Sequence, residues 1–295
     1  MSKEIRRKGD KKVALSLTLA HMVLIRPEAT SDHPCNLGDA YARGIFLVTH
    51  VAKVAVLIDG GFFLKRFPTA FPEIDGHDAE LVSQRIGWLV GNHLEYLNRI
   101  SLLQNKWGLL YRAFYYDARP YVNQAVHPIS HKPLNYARSP EALFRLELFD
   151  RLRRMPYTAV RLGEVRKDSD RSWILKAKAQ ADLLSGAKEV ASLSDNDFSP
   201  ALRQKGVDMR IGVDMSSLSL KGLVDTIVLV TGDADFIPAA KLARREGVRV
   251  ILDPLWQNVD KNLFEHIDGV FSGVPRPLAK IVAATEGTPN KGNQQ

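Results

Sequence analysis

Five aspartates stand at places where their side chains could meet and do chemistry. One closes an apolar run, two lie six residues apart at the front of an amphipathic segment, and two follow a second apolar run closely. Carboxylates that converge in a cleft repel one another, so such a cluster either binds protons or captures a divalent cation. Hard oxygen donors without histidine or cysteine favour Mg²⁺ or Mn²⁺. The candidate metal-binding residues are Asp59, Asp208, Asp214, Asp233 and Asp235.

The chemistry that such a site predicts is hydrolysis of a phosphodiester. A divalent ion held by a few carboxylates keeps several waters, which is the arrangement that activates water against a phosphate. In this scheme Asp59, Asp208 and Asp233 are the catalytic residues, and they bind the ion directly or through water. Asp214 and Asp235 orient waters or hold a second ion.

Each acid taken alone has a more ordinary explanation. An aspartate after a strand is more often a helix cap or turn former than a ligand, and Asp235 fits a cap equally well. Asp214 is also explained as a surface carboxylate on its helix. Asp117, Asp253 and Asp268 are interpreted as turn residues. The prediction depends on the set, because capping alone does not explain several acids at strand ends and helix starts.

The elements that must position these acids alternate between strand and helix. Residues 225–254 predict a strand, an acidic turn, a helix with Pro238 in its first turn, and a second buried strand. Residues 54–58 predict another buried strand, and residues 77–98 a helix with apolar side chains three and four residues apart. This alternation predicts an α/β fold with a parallel sheet, whose sites lie outside the carboxyl ends of the strands.

The remaining segments complete the predicted organisation. Residues 1–47, with a basic head and thirteen mostly apolar residues, are interpreted as a poorly ordered leader that need not be native. The folded domain is predicted at 48–275, with an insertion near 166–204 and a flexible tail at 276–295. We expect a helix at 174–190 within the insertion. A further helix, capped by Ser139, has the predicted inward stripe Leu143, Leu146, Phe149 and Leu152.

Composition limits the class of protein. Lys and Arg exceed Asp and Glu by 41 − 33 = 8 in 295 residues, and the pI is about 9.5, which suggests a polyanionic partner such as a nucleic acid, although many basic proteins have none. The single cysteine, Cys35, excludes an internal disulfide and fits a reducing compartment. The thirteen-residue apolar stretch is too short to cross a membrane. We therefore predict a cytoplasmic protein without a membrane partner, and we allow for a homodimer.

Three motifs carry a resemblance to a known family. VAVLIDGGFF, KGVDMRIGVDMSSL and LVTGDADFIPAAKLARREGVRVIL together resemble the NYN domain of the LabA-like group, within the PIN-like nuclease superfamily. The resemblance covers residues 51–273. It implies a three-layer α/β/α sandwich with a central, mainly parallel sheet, an acidic Mg²⁺ site on the five aspartates, and ribonuclease activity. The chain departs from the family after the first acid, where Gly60, Gly61 and Phe62 replace polar residues.

A nuclease of this kind needs cations to hold its substrate. Basic residues are dense between positions 151 and 178, and another precedes the second candidate acid by three residues. Phosphate contacts of this sort position a strand without reading its sequence, and we expect the strand to be single-stranded RNA. A solvated helix face explains the residues near 151–154 equally well. The predicted substrate-binding residues are Lys205, Arg154, Arg166 and Lys167.

Two other functions compete with the ribonuclease. A catalytically weak or inactive regulator would keep the fold and bind RNA or a protein partner. A phosphatase or phosphotransferase with an aspartyl nucleophile is disfavoured, because Gly61 stands where a second acid would follow Asp59 by two residues. A Walker-type phosphate loop is missing from the sequence, which argues against nucleotide hydrolysis of that kind.

Overall fold

The computed structural model describes residues 52–101, 105–168 and 172–277. The predicted leader lies outside these residues, as does most of the predicted tail. The described strands are β1 (Val54–Asp59), β2 (Leu110–Arg119), β3 (Gln124–Val126), β4 (Pro133–Asn135), β5 (Thr158–Lys167), β6 (Trp173–Leu175), β7 (Phe198–Pro200), β8 (Leu202–Lys205), β9 (Thr226–Val230), β10 (Arg249–Asp253) and β11 (Gly269–Val270).

Seven of these strands form one sheet in the order β11-β10-β9-β1-β2-β5-β8. Every pairing in it is parallel except that of β8 with β5. The chain runs outward from β1 through β2 and β5, and later outward on the other side through β9, β10 and β11. The strand order therefore reverses at β1, and open α/β sheets bind ligands beyond the carboxyl ends of the strands at such a point.

Helices cover both faces of this sheet. The described helices are α1 (Gly60–Ala70), α2 (Ala79–Ser101), α3 (Pro140–Arg154), α4 (Ala177–Leu184), α5 (Val207–Leu220), α6 (Ile237–Arg245) and α7 (Lys261–Phe264), of which α4 has no residue in the core on either face. Two antiparallel pairs, β3 with β4 and β6 with β7, stand apart from the main sheet. Among the described helices, none combines the length and apolar character that a bilayer span requires.

The core is split into two layers by the sheet, as alternation along β1 illustrates. Val56 and Ile58 pack into a cluster with α1, α2 and α3, while Ala55 and Leu57 pack on the other face with α5 and α6. All four are fully buried, because successive side chains of a strand point to opposite faces and both faces are covered. The predicted three-layer α/β/α sandwich with a mainly parallel sheet is confirmed.

Three local predictions differ from the structure. In α3 the predicted stripe is half wrong, since Leu143 and Leu146 are exposed while Phe144 and Leu148 are buried. This helix is apolar on several sides, so spacing alone does not select the inward face. The helix predicted at 174–190 is shorter and begins after β6. Helix α1 was not predicted, because two glycines and a proline lower the intrinsic helix propensity of its sequence.

Candidate metal centre

Asp59 is the last residue of β1 and caps the helix that follows. Its Oδ1 accepts a hydrogen bond from the Phe62 N–H at 3.1 Å, and its Oδ2 accepts one from the Thr231 hydroxyl at 3.4 Å. The cap gives a partner to one of the amides that the first turn of a helix leaves unpaired. Asp59 is thus a cap, and the same carboxylate also reaches the loop after β9.

That loop ties β9 to β1. The Asp233 N–H donates to Thr231 Oγ1 at 3.2 Å, and Asp233 Oδ1 accepts from the Asp235 N–H at 3.0 Å. Asp233 caps the 3₁₀ turn at 234–236, which leads directly into α6. Asp59 and Asp233 share the Thr231 hydroxyl, so this one side chain joins the carboxyl ends of two adjacent parallel strands.

Asp208 lies in the first turn of α5 and couples electrostatically to acids on other elements. Partial desolvation raises the pKa of Asp208 above its ordinary 3.8, and the charges of Asp233 and Asp235 raise it further. Burial also raises the pKa of Asp59, with added repulsion from Asp208 and Asp117, while two hydrogen bonds lower it. Acids from β1, α5 and the loop after β9 therefore lie within electrostatic reach of one another. We call Asp59, Asp208, Asp233 and Asp235 the acid cluster.

The acid cluster offers the donor types that a hard divalent cation takes, since its oxygens come from carboxylates and a threonine hydroxyl. In the part of the chain that the structure describes, no three acidic, histidine or cysteine side chains stand close enough together to ligate one ion as they are. Ionised carboxylates repel one another, and a cation relieves that repulsion. The donor chemistry therefore fits Mg²⁺ or Mn²⁺, although a closed set of ligands is not preformed.

Asp214, a member of the predicted metal-binding set, is held outside the acid cluster. Its Oδ2 accepts from the Tyr116 hydroxyl at 2.9 Å and from Arg161 Nε at 3.2 Å. Six residues turn an α-helix through about 600°, so Asp208 and Asp214 leave α5 on different sides. Asp214 connects α5 to β2 and β5, and this corrects its expected place beside the other acids.

Asp117 belongs to the same edge of the sheet, although the sequence suggested only a turn residue. It lies inside β2 and is fully buried, and Arg145 Nη1 donates to its two oxygens at 2.5 and 2.6 Å. Burial raises its pKa, and the charge of Arg145 lowers it. The signal in the sequence was an acid that directly follows an aromatic strand, where burial is tolerated only with a partner.

Next to Asp59 and Asp233, the backbone packs so closely against aromatic rings that two positions have room only for glycine. A Cβ at Gly60 would lie 2.5 Å from the Tyr115 ring and 2.6 Å from the Tyr116 carbonyl oxygen. A Cβ at Gly232 would lie 2.7 Å from the Phe62 ring. The departure from the family pattern after Asp59 thus has a packing reason, because Tyr115 excludes a side chain at position 60 and Phe62 covers Gly232.

Cations line the carboxyl edge of the sheet beyond β2. Arg119 ends β2, and with Arg166 and Lys167 from the end of β5 it lines an open groove of about 440 Å³. Arg166 Nη2 lies 2.7 Å from Glu164, so part of its charge is already matched. Lys205 is exposed and pairs in register with Glu164. Three of the four predicted substrate-binding cations therefore lie at or near this edge.

The fourth predicted cation, Arg154, lies elsewhere. It is the last residue of α3, it precedes the start of β5, and its Nη2 is 2.6 Å from Asp150. The start of a parallel strand is at the opposite edge of the sheet from the acids. The alternative explanation, a solvated helix face, describes Arg154 better than substrate binding does.

An apolar groove opens next to the acid cluster between α5 and α6. It has a volume of about 800 Å³, and Asp208 and Asp235 stand among its lining residues. Met209 and Val213 from α5 are exposed along it. This is a surface that suits a flat, mostly apolar group held beside the carboxylates.

Comparison with known proteins gives two similar chains. An uncharacterized protein of Methanocaldococcus jannaschii is 30% identical over 83 residues, which are 27% of this chain and 35% of that protein. The match thus spans about a third of the length of this curated relative. A solved structure of a protein of unknown function from Vibrio parahaemolyticus covers 76% of this chain and 93% of its own, at 14% identity and a TM-score of 0.35.

A family model gives the clearer assignment. Residues 174–255 match the NYN domain, and this range holds α5, β9, α6 and β10. It includes Asp208, Asp233 and Asp235, whereas Asp59 lies before it. The match begins inside the segment predicted as an insertion. The predicted family is confirmed, and the LabA-like group stays a prediction. Residues 174–255 of this chain therefore match the NYN domain, which is part of the PIN-like nuclease superfamily.

Proposed function

We propose that this protein is a Mg²⁺- or Mn²⁺-dependent ribonuclease that hydrolyses phosphodiester bonds of single-stranded RNA. One observation carries the proposal: four aspartates from three parts of the chain gather at the switch point of the sheet. In the described residues none of the four forms a salt bridge, and the pKa values of Asp59 and Asp208 are raised in part by neighbouring acids. The NYN match supports the same class of enzyme.

The residues take separate roles in this proposal. Asp59, Asp208 and Asp233 hold the ion directly or through water, and Asp235 orients water at the mouth of the apolar groove. When bound, the ion lowers the pKa of a coordinated water and offsets charge on the phosphate. Asp214 is left out of the ligand set, because its Oδ2 already accepts from both Tyr116 and Arg161.

The substrate path in this proposal leads away from the acid cluster across β2 and β5. Arg119 and Lys167 contact phosphates of the RNA backbone in the open groove at the ends of β2 and β5, while Lys205 contributes charge nearby. Such contacts hold a strand without selecting its sequence. The apolar groove between α5 and α6 receives the base next to the scissile phosphate, since every base has an apolar face.

The decisive experiment measures cleavage of labelled single-stranded RNA by the purified protein with Mn²⁺, with Mg²⁺, or with a chelator. We expect cleavage only with a divalent ion, and we expect Asp233→Asn to lose it. The thermal unfolding midpoint of this variant should be no lower than that of the wild-type protein. Asp75→Asn is the matched control, because Asp75 is exposed in the turn that follows the C-terminal end of α1, whereas Asp59 caps the N-terminal end of that helix. Absence of metal-dependent cleavage by the wild-type protein would refute the proposal.

A non-catalytic regulator that binds RNA or a protein is the second candidate. The observation that favours it is the lack, among the described side chains, of three donors close enough to ligate one ion. This alternative predicts RNA or protein binding that survives Asp233→Asn, without cleavage under any metal condition. Cytoplasmic location and homodimer formation stay predictions under either function.

A further inference from the structure

A second charged groove lies at the edge of the sheet opposite to the acid cluster. Its lining includes the last turn of α6 and the first residue of β10, and its volume is about 510 Å³. Parallel β10 begins at this edge and ends at the edge of the acids. We call this site the rear basic groove, and it is lined by Lys241, Arg244, Arg245, Gly247, Val248, Arg249, His266 and Asp268.

Within the described residues, the rear basic groove has more cationic side chains than acidic partners for them. Arg244 is engaged, since its Nε donates to Asp268 at 2.9 Å and its Nη1 to the Glu265 carbonyl at 3.2 Å. Within the described residues, Lys241, Arg245 and Arg249 form no salt bridge, and all three are exposed. Three cations that share one concave surface without acids to match them repel one another, and an anion relieves this repulsion.

Stabilisation of a helix end explains only part of this charge. Cations in the last turn of a helix interact favourably with its dipole, and this accounts for Arg244 and Arg245. It does not account for Arg249, which starts a strand, or for Lys241, which is the fifth of nine helical residues. The groove therefore collects cations from two different elements on one surface.

Helix α6 connects the rear basic groove to the acid cluster. The helix starts directly after the 3₁₀ turn that contains Asp235, and it ends at Arg245. At about 1.5 Å per residue, its nine residues span about 13.5 Å. A stacked single strand rises about 3.4 Å per nucleotide, so about four nucleotides cover this distance. Lys241 lies exposed midway along the path.

We propose that the rear basic groove binds the phosphate backbone of the same single-stranded RNA whose scissile bond lies at the acid cluster. This inference rests on the proposed function and adds a second contact for RNA that extends along α6. Guanidinium groups bind phosphate oxygens in pairs of hydrogen bonds, so Arg245 and Arg249 are the main contacts. RNA that is too short to pass α6 contacts the acid cluster alone.

The test compares two triple variants of the full chain. Lys241→Gln, Arg245→Gln and Arg249→Gln remove three positive charges from the rear basic groove. The matched control is Lys65→Gln, Arg99→Gln and Arg153→Gln. These three side chains are exposed, form no salt bridge among the described residues, and line none of the three grooves described above. Affinity for single-stranded RNA of about twelve nucleotides, a typical site size, is measured by fluorescence anisotropy at several salt concentrations without divalent ions.

We expect the groove variant to bind this RNA about tenfold more weakly at low salt, with a slope of log K against log salt that is less steep by about two. The control keeps most of the wild-type slope. With Mn²⁺, the kcat/KM for the long RNA relative to that for a dinucleotide falls about tenfold in the groove variant alone.

Equal affinities and salt slopes for the two triple variants would overturn the inference. If the groove triple variant unfolds, Arg249→Gln alone is compared with Arg153→Gln, and a slope less steep by about 0.7 is expected. The binding measurement does not depend on cleavage. Absence of metal-dependent cleavage with a normal groove effect therefore removes the ribonuclease proposal and leaves an RNA-binding groove.

Discussion

Four neighbouring strands carry an aspartate near their carboxyl ends, and among the described residues only the acids of the outer two strands have a cation or a histidine as partner. On β2, Asp117 is held by Arg145, and on β10, Asp253 lies 2.8 Å from His93 Nε2 and accepts two backbone N–H bonds. On β1 and after β9, the partners of Asp59 and Asp233 within the described part of the chain are neutral donors and acidic neighbours.

This difference separates acids that hold the fold together from acids that are available to a ligand. A buried carboxylate with its own cation or histidine is satisfied without a further group. Carboxylates that repel one another in a cleft are not satisfied until a proton or a metal ion arrives. The centre of the sheet is therefore where we place the chemistry, and the flanking strands are where we place structural support.

The largest expected effect is on activity at the centre of the sheet. Asp59→Asn keeps an oxygen that accepts from the Phe62 N–H but removes the charge that would hold the ion in the proposed function. We expect metal-dependent RNA cleavage to fall by about 10²–10³-fold, as when one preorganised electrostatic group is lost from an active site. The measurement is kcat/KM with Mn²⁺, and an unchanged value would place Asp59 with the structural acids.

A comparable change on β2 should affect stability instead. Arg145→Gln leaves the charge of Asp117 buried without its cation, and losing one partner of a buried pair costs about 3–5 kcal/mol. Chemical denaturation measures this loss. The double variant Arg145→Gln with Asp117→Asn should recover part of the stability, because the unpaired charge is then removed. A single variant as stable as the wild type would contradict the structural assignment.

The contact on β10 should have a smaller effect of the same kind. His93 and Asp253 are both fully buried, and their interaction joins α2 to the end of β10. His93→Ala removes one partner, and we expect a loss of about 2 kcal/mol in the free energy of unfolding. Dinucleotide cleavage, measured below the unfolding temperature, should keep its wild-type rate. A large loss of dinucleotide cleavage in His93→Ala would instead indicate that the end of β10 contributes to the active site.

The smallest expected effect is a pH dependence that distinguishes the central acids. The pKa of Asp59 is raised above 3.8 in the folded protein, so its ionised form destabilises the fold at neutral pH. Without metal, Asp59→Asn should therefore raise the unfolding midpoint at pH 7, and this gain should shrink as the pH falls toward 3.8. Thermal unfolding across this range measures it, with Asp75→Asn as control. A gain that grows on acidification would reverse the assigned sign.

Local patterns in the sequence were sufficient to predict the sheet and the two central acids. Apolar runs such as 54–58 are typical of buried parallel strands, and an acid placed after such a run must stand at the edge where sites form. The partners of the flanking acids were not predictable in this way. Arg145 is 28 residues from Asp117, and His93 is 160 residues from Asp253, so both contacts depend on how separate elements pack.

The surroundings of Asp214 differ from those expected from the sequence for a related reason. Its spacing from Asp208 and its place in a family motif both grouped it with the other acids. The rotation of α5 takes its side chain toward Tyr116 and Arg161, and neither partner is near it in the sequence. One-dimensional spacing predicted the helix correctly, but it did not show which of its sides meets which strand.

The close fit at Gly60 has a mechanical consequence for the whole centre. Because the Tyr115 ring lies close to the backbone of Gly60, the residue after Asp59, a shift of this ring would also displace the backbone beside that carboxylate. A substitution that enlarges a side chain next to Phe149, a buried residue of α3 that lies against Tyr115, would therefore also affect the first turn of α1. Substitutions at remote, wholly apolar positions are thus expected to alter the surroundings of Asp59 through the contact between the Tyr115 ring and Gly60.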